Sequence, residues 1–154
     1  MKQFKLTIII PAYNEIDTIQ TLVDKISEIK IDKQIILVDD CSSDGTNDVI
    51  FKNKDKIDKI IVHKENKGKG GAIKSAQKYI EGKYTIIQDA DLEYDPKEYI
   101  NLIQPIKEGK ADVVYGSRFI GGTHRVLYFW HYMGNQALTL LSNMFSNLNL
   151  TDME

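Results

Sequence analysis

Short apolar runs rich in β-branched residues, alternating with stretches of helical periodicity, constrain this chain more than any other feature. Leu6-Thr-Ile-Ile-Ile-Pro11 and Gln34-Ile-Ile-Leu-Val38 are continuously apolar, the pattern of strands buried on both faces. Ile57–His63, Tyr84–Gln88 and Ala111–Tyr115 read as three further strands. Between them Ile16, Ile19, Leu22, Val23, Ile26 and Ile29 recur at helical spacing, with Asp17 or Thr18 placed to cap. Thr46 can cap a short helix through about Asn53, and Gly71–Ile80 reads as another helix. Asp95-Pro96 starts a helix that turns Tyr99, Leu102, Ile103 and Ile106 inward and ends at Gly109. Residues Val126 to Leu148 form a long aromatic-rich helical stretch. Strand–helix alternation implies parallel crossovers and an α/β sandwich with a mostly parallel central sheet.

The 154 residues fit one domain, with 1–118 as its ligand-binding part and 119–154 as the start of a second side. The chain stops at Leu150-Thr-Asp-Met-Glu154 on entering another strand-like run, so we expect a C-terminally shortened form. A net charge of −2 gives no field that favours nucleic acid. One cysteine, Cys41, excludes an internal disulfide framework and fits a reducing compartment. No signal peptide is legible and no run approaches the length of a transmembrane helix, so a cytoplasmic protein is expected.

Open α/β sheets bind ligands beyond the carboxyl ends of their strands. Here those ends carry Ala12-Tyr-Asn-Glu15, Asp39-Asp40, Asn66-Lys-Gly-Lys-Gly70, Asp89-Ala-Asp91 and Gly116-Ser-Arg118. Two carboxylates one residue apart after a buried strand suit Mg²⁺ or Mn²⁺, which takes oxygen ligands and shares them with substrate phosphates. Lys69 with the Gly68, Gly70 and Gly71 backbone, at a helix start, favours a phosphate or base contact, although the spacing is neither Walker A nor Gly-x-Gly-x-x-Gly. Arg118 offers a planar fork for phosphate. The plainer readings are turn acids for Asp89 and Asp91, loop caps for Asp39 and Asp40, a strand-end packing residue for His63, and a small packed thiol for Cys41.

Pro11-Ala-Tyr-Asn-Glu15, Val38-Asp-Asp40 with Ser43-Asp-Gly-Thr46, Asn66-Lys-Gly-Lys-Gly-Gly71, Asp89-Ala-Asp91 and Gly116-Ser-Arg118, in this order, resemble a family 2 glycosyltransferase over about residues 6–154. The similarity is strongest to dolichyl- or polyprenyl-phosphate sugar synthases. It implies a GT-A-type Rossmann-like sandwich that binds a UDP- or GDP-sugar with Mg²⁺ or Mn²⁺ and inverts the anomeric carbon. By position, it implies donor contacts at Pro11, Ala12, Tyr13, Glu15, Asp40, Lys69, Gly70, Asp89 and Ala90. It puts metal ligands at Asp89, Asp91 and Glu93, the last where relatives often have Gln, and a phosphate contact at Arg118.

A lipid-phosphate acceptor is already anionic and requires no strong base. Arg118, with His124 or Arg125, would then position it, and Asp91 and Arg118 would carry the catalytic role. A saccharide hydroxyl requires a carboxylate base, for which Asp152 stands in about the right place. Residues 126–148 present Tyr, Trp and Phe suited to peripheral contact with the cytoplasmic face of a membrane, against core packing or a dimer surface. Competing functions are a receiver-like Mg²⁺ domain, argued against by acids after the second and fourth strands, and a non-catalytic nucleotide-binding fragment.

Overall fold

In the computed structural model, residues 6–116, 129–147 and 150–151 are described. Four parallel strands, β1 (Leu6–Ala12), β2 (Lys33–Asp39), β3 (Lys59–Val62) and β4 (Tyr84–Ile87), form one sheet in the order β3-β2-β1-β4. The helices are α1 (Ile19–Glu28), α2 (Thr46–Lys52), α3 (Gly68–Gln77), α4 (Tyr99–Lys107) and α5 (Phe129–Ser146), with short 3₁₀ turns at Lys54–Lys56 and Pro96–Glu98.

Register explains the core. Ile8 pairs with Ile35 and Ile10 with Leu37, and this face packs on Ile19, Leu22, Val23 and Ile26 of α1 and Ile50 of α2. Ile9 pairs with Ile36 and points the other way, onto Ala72 and Ala76 of α3. Those alanines let the helix approach the sheet closely. Each fully buried Ile contributes about 1.5–3 kcal/mol, so β1 and β2, buried along nearly all their length, anchor the unit.

The chain walks from β1 to β2 to β3, then jumps back across β1 to β4. That reversal creates a switch point beside the carboxyl end of β1. Pro11 belongs there. Ile9 accepts from the Gln88 amide on the β4 side at 2.9 Å, and Ala12 accepts from the Asp40 amide on the β2 side at 2.8 Å. Alternation therefore turns position 11 toward β4, whose pairing with β1 ended at Ile9–Ile87. A residue without an N–H costs the ladder nothing at that place.

Four local expectations are corrected. Ala111–Tyr115 forms no strand and finds no strand partner among the described residues, where Val113 is 64% and Tyr115 68% exposed. Helix α3 begins at Gly68 rather than Gly71, its glycines held helical by the packing of Ala72 and Ala76. Thr46 is the first residue of α2 and Gly45, at φ +99°, is the cap; Thr18 precedes α1 without a side-chain capping bond. Ile16 lies before α1 and is 40% exposed. The helix expected over 126–148 is seen as Phe129–Ser146, and 126–128 and 148 lie outside the described residues.

The chain divides into two units, Met1–Gln104 and Pro105–Glu154. In the second, α5 exposes Trp130, Tyr132, Met133, Leu140, Met144 and Phe145. No helix among the described residues is long and apolar enough to cross a membrane.

Candidate active site

A cleft of about 290 Å³ opens at the switch point, lined by Pro11, Ala12, Tyr13 and Glu15 after β1, Asp40 after β2, Lys69 and Ala72 of α3, and Asp89, Ala90 and Asp91 after β4. Segments almost 80 positions apart in sequence thus meet as the sheet topology requires.

The β1 loop is held by the loop after β2. Asn14, at φ +57°, donates its amide to Ser42 Oγ (2.9 Å) and accepts on Oδ1 from the Ser43 amide (2.9 Å). The Glu15 amide donates to Thr46 Oγ1 (2.8 Å), and Asp44 accepts from the Ile16 amide and from both the amide and hydroxyl of Thr46. Burial opposes the Asp44 charge, yet these donors outweigh it and hold its carboxyl below the usual carboxylate range. Asp44-Gly45-Thr46 therefore shapes the Tyr13–Glu15 wall without itself entering the cleft. Thr18 donates its hydroxyl to Glu15 Oε2 (2.7 Å), fixing that side chain.

Asp40 is buried and already engaged. Its Oδ1 lies 2.6 Å from His63 Nδ1 and accepts from the Lys67 amide at 2.9 Å, while Oδ2 accepts from the same amide at 3.1 Å. His63 Nε2 is 2.8 Å from Ser75 Oγ. A neutral ring protonated on Nδ1 satisfies both contacts, with Ser75 as donor. Burial raises the Asp40 carboxyl and the bonds from His63, Lys67 and Gly68 more than compensate, so it stays lowered and charged. Asp40 ties the ends of β2 and β3 to the start of α3. His63 is a network member rather than mere packing, and Ser75 and Ala72 were missed in the sequence. The interval from Asp40 to His63 carries no local periodicity that announces their contact.

The acidic loop has its own anchor. Gln88, 2% exposed, donates from Nε2 to the carbonyls of Asp89 (3.0 Å) and Tyr94 (3.4 Å) and accepts on Oε1 from the buried Tyr99 hydroxyl (2.7 Å). Burial pushes the Tyr99 hydroxyl well above its ordinary range, so it remains a donor. Leu92 sits at φ +63°, turning the chain after Asp91. Lys69 Nζ is 2.7 Å from Asp89 Oδ1 and 2.8 Å from Oδ2. Asp91 Oδ1 accepts from the Glu93 amide at 3.0 Å.

Gly70 does not line this cleft; it borders a separate apolar depression with Ile9, Ile73 and Ile87. Among the described residues no three His, Cys, Asp or Glu side chains gather as a metal set; Asp89 and Asp91 line the cleft, and Glu93 is not part of its lining. Two hard carboxylates beside a space wide enough for phosphates fit a divalent ion that completes its shell with substrate and water. Ser117, Arg118, His124, Arg125 and Asp152 lie outside the described residues.

The sequence profile of glycosyl transferase family 2 matches residues 7–152. The chain belongs to this family. It is 29% identical over 154 residues to the low-salt glycan biosynthesis hexosyltransferase Agl6 of Haloferax volcanii, covering 96% of this chain and 36% of that one. It is 32% identical over 121 residues to the dolichol-phosphate mannosyltransferase of Pyrococcus furiosus, covering 77% of this chain and 34% of the relative. Among solved structures it resembles the mannosyltransferase PcManGT of Pyrobaculum calidifontis in complex with GDP-Man and Mn²⁺, with TM-score 0.53, 28% identity, and coverage of 56% and 27% of the two chains. The family 2 chain therefore spans about a third of the length of the curated relatives it matches. Its parallel sheet with helices on both faces is of the GT-A type.

Proposed function

We propose that this family 2 chain carries the nucleotide-sugar-binding part of an inverting, metal-dependent hexosyltransferase whose acceptor is a polyprenyl phosphate. The observation that carries the reading is the convergence of the β1, β2, β4 and α3 ends on one cleft at the switch point. Pro11, Ala12, Tyr13 and Glu15 would surround the nucleoside, over a floor stiffened by Asp40. Asp89 and Asp91 would hold Mg²⁺ or Mn²⁺, which supplies positive charge to the leaving diphosphate when bound. Support for that chemistry comes from the Mn²⁺ and GDP-Man named with the Pyrobaculum neighbour.

The dolichol-phosphate mannosyltransferase relative supports the lipid-phosphate acceptor, as does the exposed, uncharged, aromatic α5, suited to a membrane surface. Arg118, His124 and Arg125 would position the acceptor phosphate, whose oxygen needs no base. A saccharide acceptor would instead make Asp152 the base.

Melting temperature against UDP, GDP and other nucleotides, with and without Mn²⁺, tests the donor site: binding to the native state raises it with ligand concentration. A rise with UDP or GDP that chelation abolishes is expected. No nucleotide response overturns the assignment, whereas binding without transfer to any acceptor favours a non-catalytic nucleotide-binding fragment. For the acceptor, Asp152→Asn is expected to leave transfer to polyprenyl phosphate intact; loss of transfer there refutes it.

A further inference from the structure

We propose that Lys69 is a tethered cation that occupies Asp89 until a nucleotide diphosphate arrives, making capture of the metal and of the nucleotide mutually dependent. The inference rests on the reading of Asp89 as a metal ligand and assigns to Lys69 a role in positioning that ligand.

A single ammonium nitrogen lies 2.7 Å from one oxygen of Asp89 and 2.8 Å from the other. It therefore sits astride the carboxylate, in the sector that a divalent ion bound to both oxygens would take. Metal–oxygen distances in such sites are about 2.0–2.6 Å. An ion there and an ammonium on the same oxygens would nearly coincide, and their like charges repel. One must leave for the other to bind.

Where the displaced ammonium can go follows from the cleft. Lys69 is the second residue of α3, and its backbone stays at the rim whatever the side chain does. Asp40 is the poorer alternative, because its Oδ1 is already held by His63 and the Lys67 amide and its Oδ2 by the Lys67 amide. A diphosphate in the cleft would supply the missing anion to a lysine acting as a point charge. The pair is also shallow enough to exchange, with side-chain exposures of 58% for Lys69 and 29% for Asp89. Exposed pairs of this kind are weak, so the latch delays the metal without excluding it. If nucleotide strengthens metal binding by drawing Lys69 away, linkage requires metal to strengthen nucleotide binding by the same factor.

The test is titration of Mn²⁺ by electron paramagnetic resonance, reading free ion without turnover, in the presence and absence of UDP or GDP. For the native protein, nucleotide is expected to tighten Mn²⁺ binding. For Lys69→Met, Mn²⁺ alone is expected to bind roughly twofold to fivefold tighter, with the nucleotide effect reduced by a similar factor. Lys67→Met removes the same charge two residues away and leaves the pair in place; it is expected to shift Mn²⁺ affinity less than twofold. Unchanged or weaker Mn²⁺ binding in Lys69→Met, or an equal gain in Lys67→Met, overturns the latch. Asp89→Asn separates the two levels. Loss of Mn²⁺ binding there upholds the metal site whatever Lys69 does, whereas retained binding sinks the metal reading and the latch together.

Discussion

Replacing Gln88 by Leu tests whether one buried amide holds the acidic loop in shape. The substitution keeps approximate volume and removes three contacts: donation to the Asp89 carbonyl at 3.0 Å, a long donation to the Tyr94 carbonyl at 3.4 Å, and acceptance from Tyr99 at 2.7 Å. The first and third are worth about 1 kcal/mol each. The larger effect is the Tyr99 hydroxyl, left buried without its acceptor at a further cost of about 1–3 kcal/mol. We expect Gln88→Leu to destabilise by about 3 kcal/mol, partly relieved by leucine's better transfer to an apolar site. Tyr99→Phe removes the stranded group, so the double variant should be about 1–2 kcal/mol more stable than the sum of the single changes. Urea unfolding is the assay, with a midpoint shift at constant slope. Strict additivity, or a Gln88→Leu cost under about 0.5 kcal/mol, would show that the loop is held by something else.

Glycines give predictions of opposite sign. A Cβ on Gly82 would meet the Thr7 amide nitrogen and Oγ1, each at 2.6 Å, so Gly82→Ala should cost about 2 kcal/mol in the same unfolding assay. Gly70 has open space and ordinary helical φ, so Gly70→Ala should stabilise by about 0.5–1 kcal/mol. Any loss of nucleotide affinity in that variant would place the donor against Gly70, outside the cleft described. Acid sensitivity follows from Asp40 and Asp44. Their carboxyls are lower folded than unfolded, so their stabilisation is complete above the unfolded value of about 3.9 and is lost as pH falls through the folded values. Melting temperature should therefore drop below about pH 4, and the drop should be shallower in Asp40→Asn; an unchanged profile would falsify that origin.

What the sequence disclosed, and what it hid, divides along physical lines. The strands β1 and β2 are legible because both faces are buried, which forces uninterrupted Ile, Leu and Val. The ends of β2 and β4 follow, since Asp39-Asp40 and Asp89-Ala-Asp91 close their apolar runs abruptly. Ala111–Tyr115 misled because β-branched composition measures fitness for a sheet, whereas pairing depends on a neighbour that composition does not reveal. The start of helix α3 is hidden because Gly68-Lys-Gly-Gly71 looks like a loop by propensity, and packing overrides it. In the sequence Gln88 is simply the last residue of a strand-like run. Its importance lies in partners 1, 6 and 11 residues further along, a spacing that belongs to no regular element.

These networks hold the loops around an otherwise exposed cleft. Its floor is rigid: Asp40 binds His63 and the Lys67 amide, and Gln88 binds Tyr99 and the acidic loop, all from buried positions whose loss would strand polar groups. Its lining is soft, with Tyr13 half exposed and the Lys69–Asp89 pair open to solvent. Backbone geometry is thus set before a ligand arrives, while the charged side chains keep freedom to exchange partners. A site built this way fixes the shape of its loops and leaves its exposed charges free to move. The broad losses should therefore come from Gln88, which is not part of the lining, and from Asp40, a buried lining residue that also holds the Lys67 amide; substitution of either moves several lining residues at once. Substitution of an exposed lining residue should remove only the contact that residue makes.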